Sequence, residues 1–155
     1  MTTKRIDRAS RRIAARPSAV YRALVDPDAR VAWLAPKGMH ARLDAFDARV
    51  GGGYRMTLTY DDASGARGKS SPGSDVVHAR FVALDEGARV VEAIEFESAD
   101  ASFAGTMTMT WSLEAIGEGT SVTVTAEDVP PGIRPADHQL GMQSSLESLA
   151  SFVER

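Results

Sequence analysis

The strongest constraint on the fold is a two-residue alternation of apolar and polar side chains in the last third of the chain. Over residues 103–114, large apolar side chains alternate with threonine and serine, and residues 120–127 repeat the pattern. Because successive side chains of a strand point to opposite faces, both segments predict strands with one dry and one wet face. Such strands are typical of an antiparallel sheet. The dry positions are Phe103, Met107, Met109, Trp111, Leu113, Val122, Val124 and Ala126.

Five earlier segments complete a sheet of about seven strands. They are short, and glycine-rich or acidic turns separate several of them, as at Gly51-Gly52-Gly53 and Asp85-Glu86-Gly87. We expect these strands over residues 4–14, 39–50, 54–60, 76–84 and 89–97.

Three helices are predicted around these strands. Pro17 stands in the first turn of a short helix that ends at Asp26-Pro27-Asp28, where a second short helix begins. That second helix carries Val31, Trp33 and Leu34. The segment of about 135–154 is a longer helix, because its apolar residues recur at spacings of four, three and four. Its apolar stripe consists of Met142, Leu146, Leu149 and Val153.

The order of these elements predicts one α+β domain over residues 1–155. A one-faced sheet must bury its dry face against another layer, and only the C-terminal helix is long enough to cover it. The predicted fold is therefore a helix-grip fold, with a curved antiparallel sheet around the C-terminal helix and an apolar cavity between them. Residues 61–75 hold no large apolar side chain and are expected to form a long mobile loop, which could serve as a lid.

Composition excludes several classes of function. The chain has no cysteine, which excludes a disulfide framework, a thiol nucleophile and a thiolate metal site. Its three histidines are scattered, so neither a metal nor a tightly bound cofactor is expected. No stretch approaches the ~20 apolar residues of a membrane span, and no secretory signal is visible, which predicts a cytoplasmic protein. A homodimer is compatible with the sequence.

Six cations near the N-terminus are the one local excess of charge. The net charge of the chain is −3, which is too weak a field to favour nucleic acid as a partner. No aromatic side chain interleaves with these cations, as a single-strand binding surface would require. We therefore interpret them as the solvated side chains of an edge strand, where charge discourages edge-to-edge pairing. They are Lys4, Arg5, Arg8, Arg11, Arg12 and Arg16.

Seven short motifs occur along the chain: Val20–Pro27, Trp33–Pro36, Gly51–Met56, Phe81–Asp85, Arg89–Glu92, Gly119–Val124 and Gly141–Leu149. Taken in this order, they resemble the SRPBCC (START-like) superfamily, and in particular its subgroup named after the activator of heat-shock protein 90 ATPase. The resemblance covers nearly the whole chain and implies the helix-grip fold with a cavity. For function it implies lipid or hydrophobic-ligand binding, or polyketide cyclisation. The sequence departs from the family at Met142, where tryptophan is common, and it has no room for the cochaperone's additional N-terminal domain.

The main functional hypothesis is a binding module for a small hydrophobic or amphipathic molecule. Four methionines among the candidate lining residues favour an adaptable pocket, because methionine fills irregular gaps. The alternative is that the same residues pack a solid core, which would produce the same sequence pattern. The candidates are Trp33, Tyr54, Met56, Phe81, Glu92, Ile94, Phe96, Met107, Met109, Trp111, His138, Met142 and Leu146.

Glu92 and His138 carry the candidate chemistry. Glu92 alternates with Val90 and Ile94, so it either faces the cavity as a base or ligand anchor, or is solvated after a bulge shifts the register by one. Of these two positions we favour the solvated one. The second functional hypothesis is an enzyme of the cyclase or hydratase type that uses Glu92 and His138 as an acid/base pair, although His138 fits a surface position at least as well. A third is an interaction protein related to chaperone regulation.

Overall fold

Seven antiparallel strands form one sheet in the order β1-β7-β6-β5-β4-β3-β2, so that β1 and β2 are its edges. The computed structural model describes residues 5–34, 39–60 and 74–154. The sheet curls into a half-barrel, and the helices cover one of its faces. The strands are β1 (Ile6–Ile13), β2 (Met39–Asp44), β3 (Gly53–Tyr60), β4 (Ser74–Asp85), β5 (Arg89–Phe96), β6 (Met107–Ile116) and β7 (Gly119–Glu127).

Three helices follow the predicted order: α1 (Pro17–Val25), α2 (Pro27–Trp33) and α3 (Pro135–Val153). Each begins with proline, whose fixed φ suits the first turn of a helix. Asp26 caps α2, because its side chain accepts a hydrogen bond of 3.0 Å from the backbone N–H of Asp28. This cap turns the chain sharply between α1 and α2.

The dry face of the sheet is continuous across the strands. Phe81 lies opposite Glu92, and Glu92 lies opposite Met109, which in turn lies opposite Ala126. A bulge between Phe81 and Ala83 adds one residue to β4, while β5 keeps its alternation. The extra residue, Val82, is exposed.

The C-terminal helix packs on this face, as the sequence predicts. Met142, Leu146 and Leu149 are buried in the same apolar core as the dry side chains of the sheet. The hydroxyl of Ser145 donates a hydrogen bond of 3.2 Å to the carbonyl of Leu34, which joins α3 to the end of α2. The α+β helix-grip fold with an antiparallel sheet is therefore confirmed.

Three predicted boundaries are wrong. Phe103 belongs to a short 3-10 helix, Ala101–Phe103, because Asp100 caps that helix, and β6 begins only at Met107. The second strand ends at Asp44, where Ala45 adopts a positive φ of 55° and interrupts the extended chain. Of the predicted loop 61–75, residues 74 and 75 belong to β4, and the rest lies outside the described residues.

The predicted edge position of the N-terminal cations is confirmed for β1, which is an edge strand. Arg8, Arg11 and Arg12 on this strand are exposed to solvent. Arg5 differs, because it is partly buried and has protein partners. Across the described ranges, no helix combines the length and the apolar character needed to cross a lipid bilayer.

Candidate functional site

A buried ion pair lies on the dry face of the sheet. Arg30 of α2 and Glu92 of β5 place Nη1 and Oε1 2.5 Å apart, and both side chains are 1% exposed. Charged side chains are almost never buried to this extent unless they are paired. The solvated position that we favoured for Glu92 is therefore wrong. The predicted bulge exists, but it lies in β4 and leaves Glu92 on the same face as Val90 and Ile94.

The end of α1 determines where Arg30 lies. The last carbonyl groups of a helix have no partner within that helix, and here the side chains of α2 bind two of them. Arg30 Nη1 donates to the carbonyl of Leu24 at 2.9 Å, and Trp33 Nε1 donates to that of Ala23 at 2.8 Å. These two bonds fix α2 against α1 and hold the guanidinium over the sheet.

Aromatic side chains surround the ion pair. The hydroxyl of Tyr54 donates to Glu92 Oε2 at 3.1 Å. The guanidinium carbon of Arg30 lies 5.1 Å from the ring centre of Tyr54 and 5.8 Å from that of Trp33, within the range of cation–π attraction. Trp33 packs edge-on against Trp111, with 5.4 Å between ring centroids. These five residues, Arg30, Trp33, Tyr54, Glu92 and Trp111, are called the buried polar cluster below.

Electrostatic interactions within the cluster favour the charged form of Arg30 and the neutral form of Tyr54. Burial disfavours the charged form of Arg30, but the charge of Glu92, the effect of Tyr54 and the hydrogen bond to Glu92 together outweigh it, and the pKa of Arg30 is raised above its ordinary value. Burial also raises the pKa of Tyr54, against the opposing effect of Arg30 and with a further contribution from Glu92. Tyr54 therefore stays a neutral hydrogen-bond donor at physiological pH.

A second charged group joins β1 to the start of α3. Arg5 holds the carboxylate of Asp7 with two hydrogen bonds, of 3.2 Å from Nε and 2.8 Å from Nη2. Arg5 Nη1 also donates to the carbonyl of Ile133 at 2.5 Å. His138 Nδ1 lies 2.7 Å from Asp7 Oδ2. The hydrogen bond from Arg5, opposed by burial and aided by His138, lowers the pKa of Asp7 below its usual range.

The structure does not bring Glu92 and His138 together as an acid/base pair. Asp7, which holds His138, is three strands away from Glu92, because Asp7 lies opposite Ala126, Ala126 opposite Met109, and Met109 opposite Glu92. Three strand spacings correspond to roughly 14 Å. Glu92 is paired with Arg30, and His138 with Asp7. The two side chains therefore lack the geometry of the predicted acid/base pair.

Of the thirteen predicted lining residues, ten are buried and three are partly exposed. The buried ones lie on β3 to β6, on α2 and on α3, and all of these except Glu92 belong to one apolar core. The partly exposed ones are Phe96, Met109 and His138. Most of the predicted lining residues therefore lie where the dry face of the sheet meets the helices. That they enclose a ligand stays a prediction.

Two surface depressions lie away from this face. One, of about 190 Å³, is on the outer side of the sheet, and the other, of about 510 Å³, lies between the start of α1 and the β6–β7 turn. The first is lined by His78, Ala79, Arg80, Ala93, Glu95 and Thr106. The second is lined by Ala15, Arg16, Pro17, Ala115, Gly117, Glu118 and Gly119. Within the described ranges, no three His, Asp or Glu side chains are grouped as a metal site would require.

Sequence reasoning missed Arg30, Asp7 and Phe46. Arg30 lies three residues before Trp33 and four before Leu34, so helical spacing places all three on one face, whereas Val31 is exposed. That spacing is the feature of the sequence that could have identified Arg30 as a buried residue. Phe46 follows β2 and stacks on Tyr54 with 5.3 Å between centroids, and it also packs on Phe81. No periodic pattern marks Phe46, because it lies in an irregular segment between β2 and β3.

Comparison with known proteins places the chain among related folds. Residues 14–154 match the family described as Activator of Hsp90 ATPase homolog 1-like protein. Protein CV1439 from Chromobacterium violaceum is 33% identical, with a TM-score of 0.84 over 97% of both chains. Protein MLL2253 from Mesorhizobium loti is 20% identical, with a TM-score of 0.72 over 97% of this chain and 98% of that one. The AHSA1-like protein from Aeromonas hydrophila is also 20% identical, with a TM-score of 0.71 over 97% and 92%. None of the curated proteins matches the chain.

Proposed function

The chain belongs to the family of Activator of Hsp90 ATPase homolog 1-like proteins, and from this premise we propose that it binds a small hydrophobic or amphipathic molecule between the sheet and α3. The fold supports a ligand-binding domain in general. The nature of the ligand and its position beneath α3 are the proposal. A cytoplasmic location and a homodimer remain predictions beside it.

The observation that carries this proposal is the buried polar cluster. Replacing a buried ion pair by well-packed apolar residues is often neutral or stabilising, so such a pair is weak evidence for a purely structural role. Here the pair lies in a largely apolar core, where Tyr54 and Glu92 share a hydrogen bond. Ligand sites commonly combine an apolar lining with a small number of polar groups that orient the ligand. The cluster fits that description.

Methionines flank the cluster and support an adaptable site. Met109 lies opposite Glu92 on β6, and Met107 lies opposite Ile94. Met142 reaches the same core from α3 and is 4% exposed. Flexible thioether side chains can repack around an incoming molecule at low cost. Such repacking would let a ligand enter between the sheet and α3.

Intrinsic fluorescence tests the proposal, because the only two tryptophans of the chain are Trp33 and Trp111. Both are buried in the cluster. We expect titration with 1-decanol, decanoate or naphthalene to raise the melting temperature and to shift tryptophan emission, since ligands that bind only the native state stabilise it. A rise in melting temperature without any change in emission would place binding elsewhere. No response in either measurement to any of these compounds would overturn the proposal.

Two variants distinguish binding at the proposed site from binding at the outer face of the sheet. Met142→Ala removes a side chain that lies beneath α3, and we expect it to change the affinity several-fold at a temperature where the variant is folded. Val82→Ala alters an exposed residue of the outer face, 45% accessible, and should leave the affinity unchanged.

A further inference from the structure

Two N–H donors of the buried polar cluster lack a hydrogen-bond partner within the described part of the chain: Arg30 Nε and Trp111 Nε1. Their residues are 1% and 2% exposed. Glu92 Oε1 lies 2.5 Å from Arg30 Nη1, which also donates to the carbonyl of Leu24, and a carboxylate oxygen can accept a second hydrogen bond. Buried polar groups in native proteins are nearly always hydrogen-bonded, so two unpaired donors in one place require an explanation.

Both unpaired donors and Glu92 Oε1 belong to side chains that are close to one another. Trp111 lies opposite Val90, two residues before Glu92 on the same face, so Trp111 and Glu92 are diagonal neighbours of the sheet. Trp33 of α2 links Trp111 to Arg30, because its ring contacts Trp111 and lies under the guanidinium of Arg30. The cluster therefore presents two N–H donors and one carboxylate acceptor in the same part of the dry face.

We propose that the buried polar cluster recognises a neutral hydroxyl group, as found in an alcohol or a phenol, on the ligand of the proposed function above. A hydroxyl oxygen accepts hydrogen bonds from N–H groups such as those of Arg30 and Trp111, and its hydrogen can be donated to Glu92 Oε1. This inference rests on the proposed function and adds the chemical class of the ligand's polar group.

Charge balance selects a neutral group over an ionic one. The positive charge of Arg30 and the negative charge of Glu92 already compensate each other at 2.5 Å. A ligand carboxylate or ammonium would bring a third, unpaired charge into a site with a low effective dielectric constant, which is strongly unfavourable. A hydroxyl adds hydrogen bonds without adding charge.

The test compares ligands that differ only in their polar group. The two series are naphthalene, 2-naphthol and 2-naphthoate, and decane, 1-decanol, decanoate and decylammonium, measured by calorimetry. We expect each hydroxyl compound to bind about tenfold tighter than its parent hydrocarbon, the effect of one good hydrogen bond. The charged analogues should bind more weakly than the hydroxyl compounds.

Trp111→Phe identifies the group responsible. This variant keeps an aromatic ring and removes the indole N–H, so it should lose most of the hydroxyl preference while the affinity for the parent hydrocarbon changes little. Val82→Ala is the control, because Val82 is 45% accessible and lies outside the cluster. It should retain the preference at a temperature where circular dichroism shows both variants folded.

Each outcome has a distinct meaning. Hydrocarbon binding without a hydroxyl preference, or tighter binding of the carboxylate or the ammonium compound, overturns this inference and leaves the proposed function intact. A preference that survives in Trp111→Phe also overturns it. Binding of no member of either series overturns the inference together with the proposed function.

Discussion

Arg30 of α2 and Glu92 of β5 form a salt bridge that is almost completely excluded from solvent. It joins the helical layer to the sheet beside the aromatic rings of Trp33 and Tyr54. Breaking a buried pair by removing one partner typically costs about 3–5 kcal/mol, because the remaining charge is left uncompensated. The pair is therefore the most sensitive point of the dry face.

We expect Glu92→Gln and Arg30→Met each to lower the free energy of unfolding by about 3–5 kcal/mol. The double variant Arg30→Met/Glu92→Leu should lose much less than the sum, because neither charge remains buried alone. Urea denaturation of the full double-mutant cycle measures both quantities.

An exposed pair provides the control for this cycle. Arg42 and Asp44 are 3.2 Å apart on β2, with side chains 74% and 40% exposed. Arg42→Met should change stability little, because solvent screens such pairs. Strict additivity at Arg30 and Glu92 would contradict the strong coupling that we infer for them.

The pH dependence of stability should depend on Asp7. Its pKa in the folded chain is lowered, chiefly by the hydrogen bond from Arg5. The stabilisation is therefore fully present above the unfolded value of about 3.9 and is lost as the pH falls through the folded pKa. Asp7→Asn should show a smaller loss of stability on acidification below about pH 5 than the wild type.

A second variant shows whether Arg5 is the cause. Arg5→Met removes the group that most lowers the pKa of Asp7, so the acid-induced loss at Asp7 should be smaller than in the wild type and complete at a higher pH. Thermal melts between pH 2 and 7 measure these profiles. Identical slopes for Asp7→Asn and the wild type would exclude this role of Asp7.

Two glycines should respond in opposite ways to alanine. A Cβ at Gly53 would overlap the carbonyl oxygen of Ala79 on the neighbouring strand, so Gly53→Ala should destabilise the chain by about 1–3 kcal/mol. Gly141 lies within α3, and no described residue outside its own turn of the helix comes within 4 Å of such a Cβ. Gly141→Ala should stabilise it by about 0.5–1 kcal/mol, because alanine favours the helix. Denaturant midpoints measure both effects, and equal signs would contradict the prediction.

The two tryptophans should differ in their structural importance. Trp33→Phe removes the hydrogen bond to Ala23 and leaves that buried carbonyl at the end of α1 without its donor. Trp111→Phe removes an N–H that has no partner among the described residues. Because the loss of ring area is the same, we expect Trp33→Phe to be more destabilising by about 1–2 kcal/mol in urea unfolding. Equal losses would show that the bond to Ala23 adds little.

Much of the fold could be predicted from local patterns. The alternation in β6 and β7 identified the dry face at Met107, Trp111 and Val124, all of which are buried. The wrong boundaries occur where a short turn interrupts a pattern, as between Phe103 and Met107 or after Asp44. There a capping side chain or a positive φ decides the backbone, and residue periodicity carries no information about either.

The candidate site was less accessible to sequence reasoning. Glu92 was identified as a residue of interest, but its face depended on which of two neighbouring strands holds the bulge. His138 was identified as well, but its partner Asp7 lies on the first strand of the sheet. A lone arginine in a short helix resembles a surface residue, so Arg30 carried only its spacing from Trp33 as a signal.

The sequence by itself determined the type and order of the elements and the face that each strand turns towards the core, because these depend on periods of two and 3.6 residues that act locally along the chain. The tertiary structure alone decided which charges meet. Arg30 reaches Glu92, and Asp7 reaches His138, only because α2 and α3 cross the curled sheet at particular places. Contacts between segments so distant in the chain depend on packing, which no local pattern encodes.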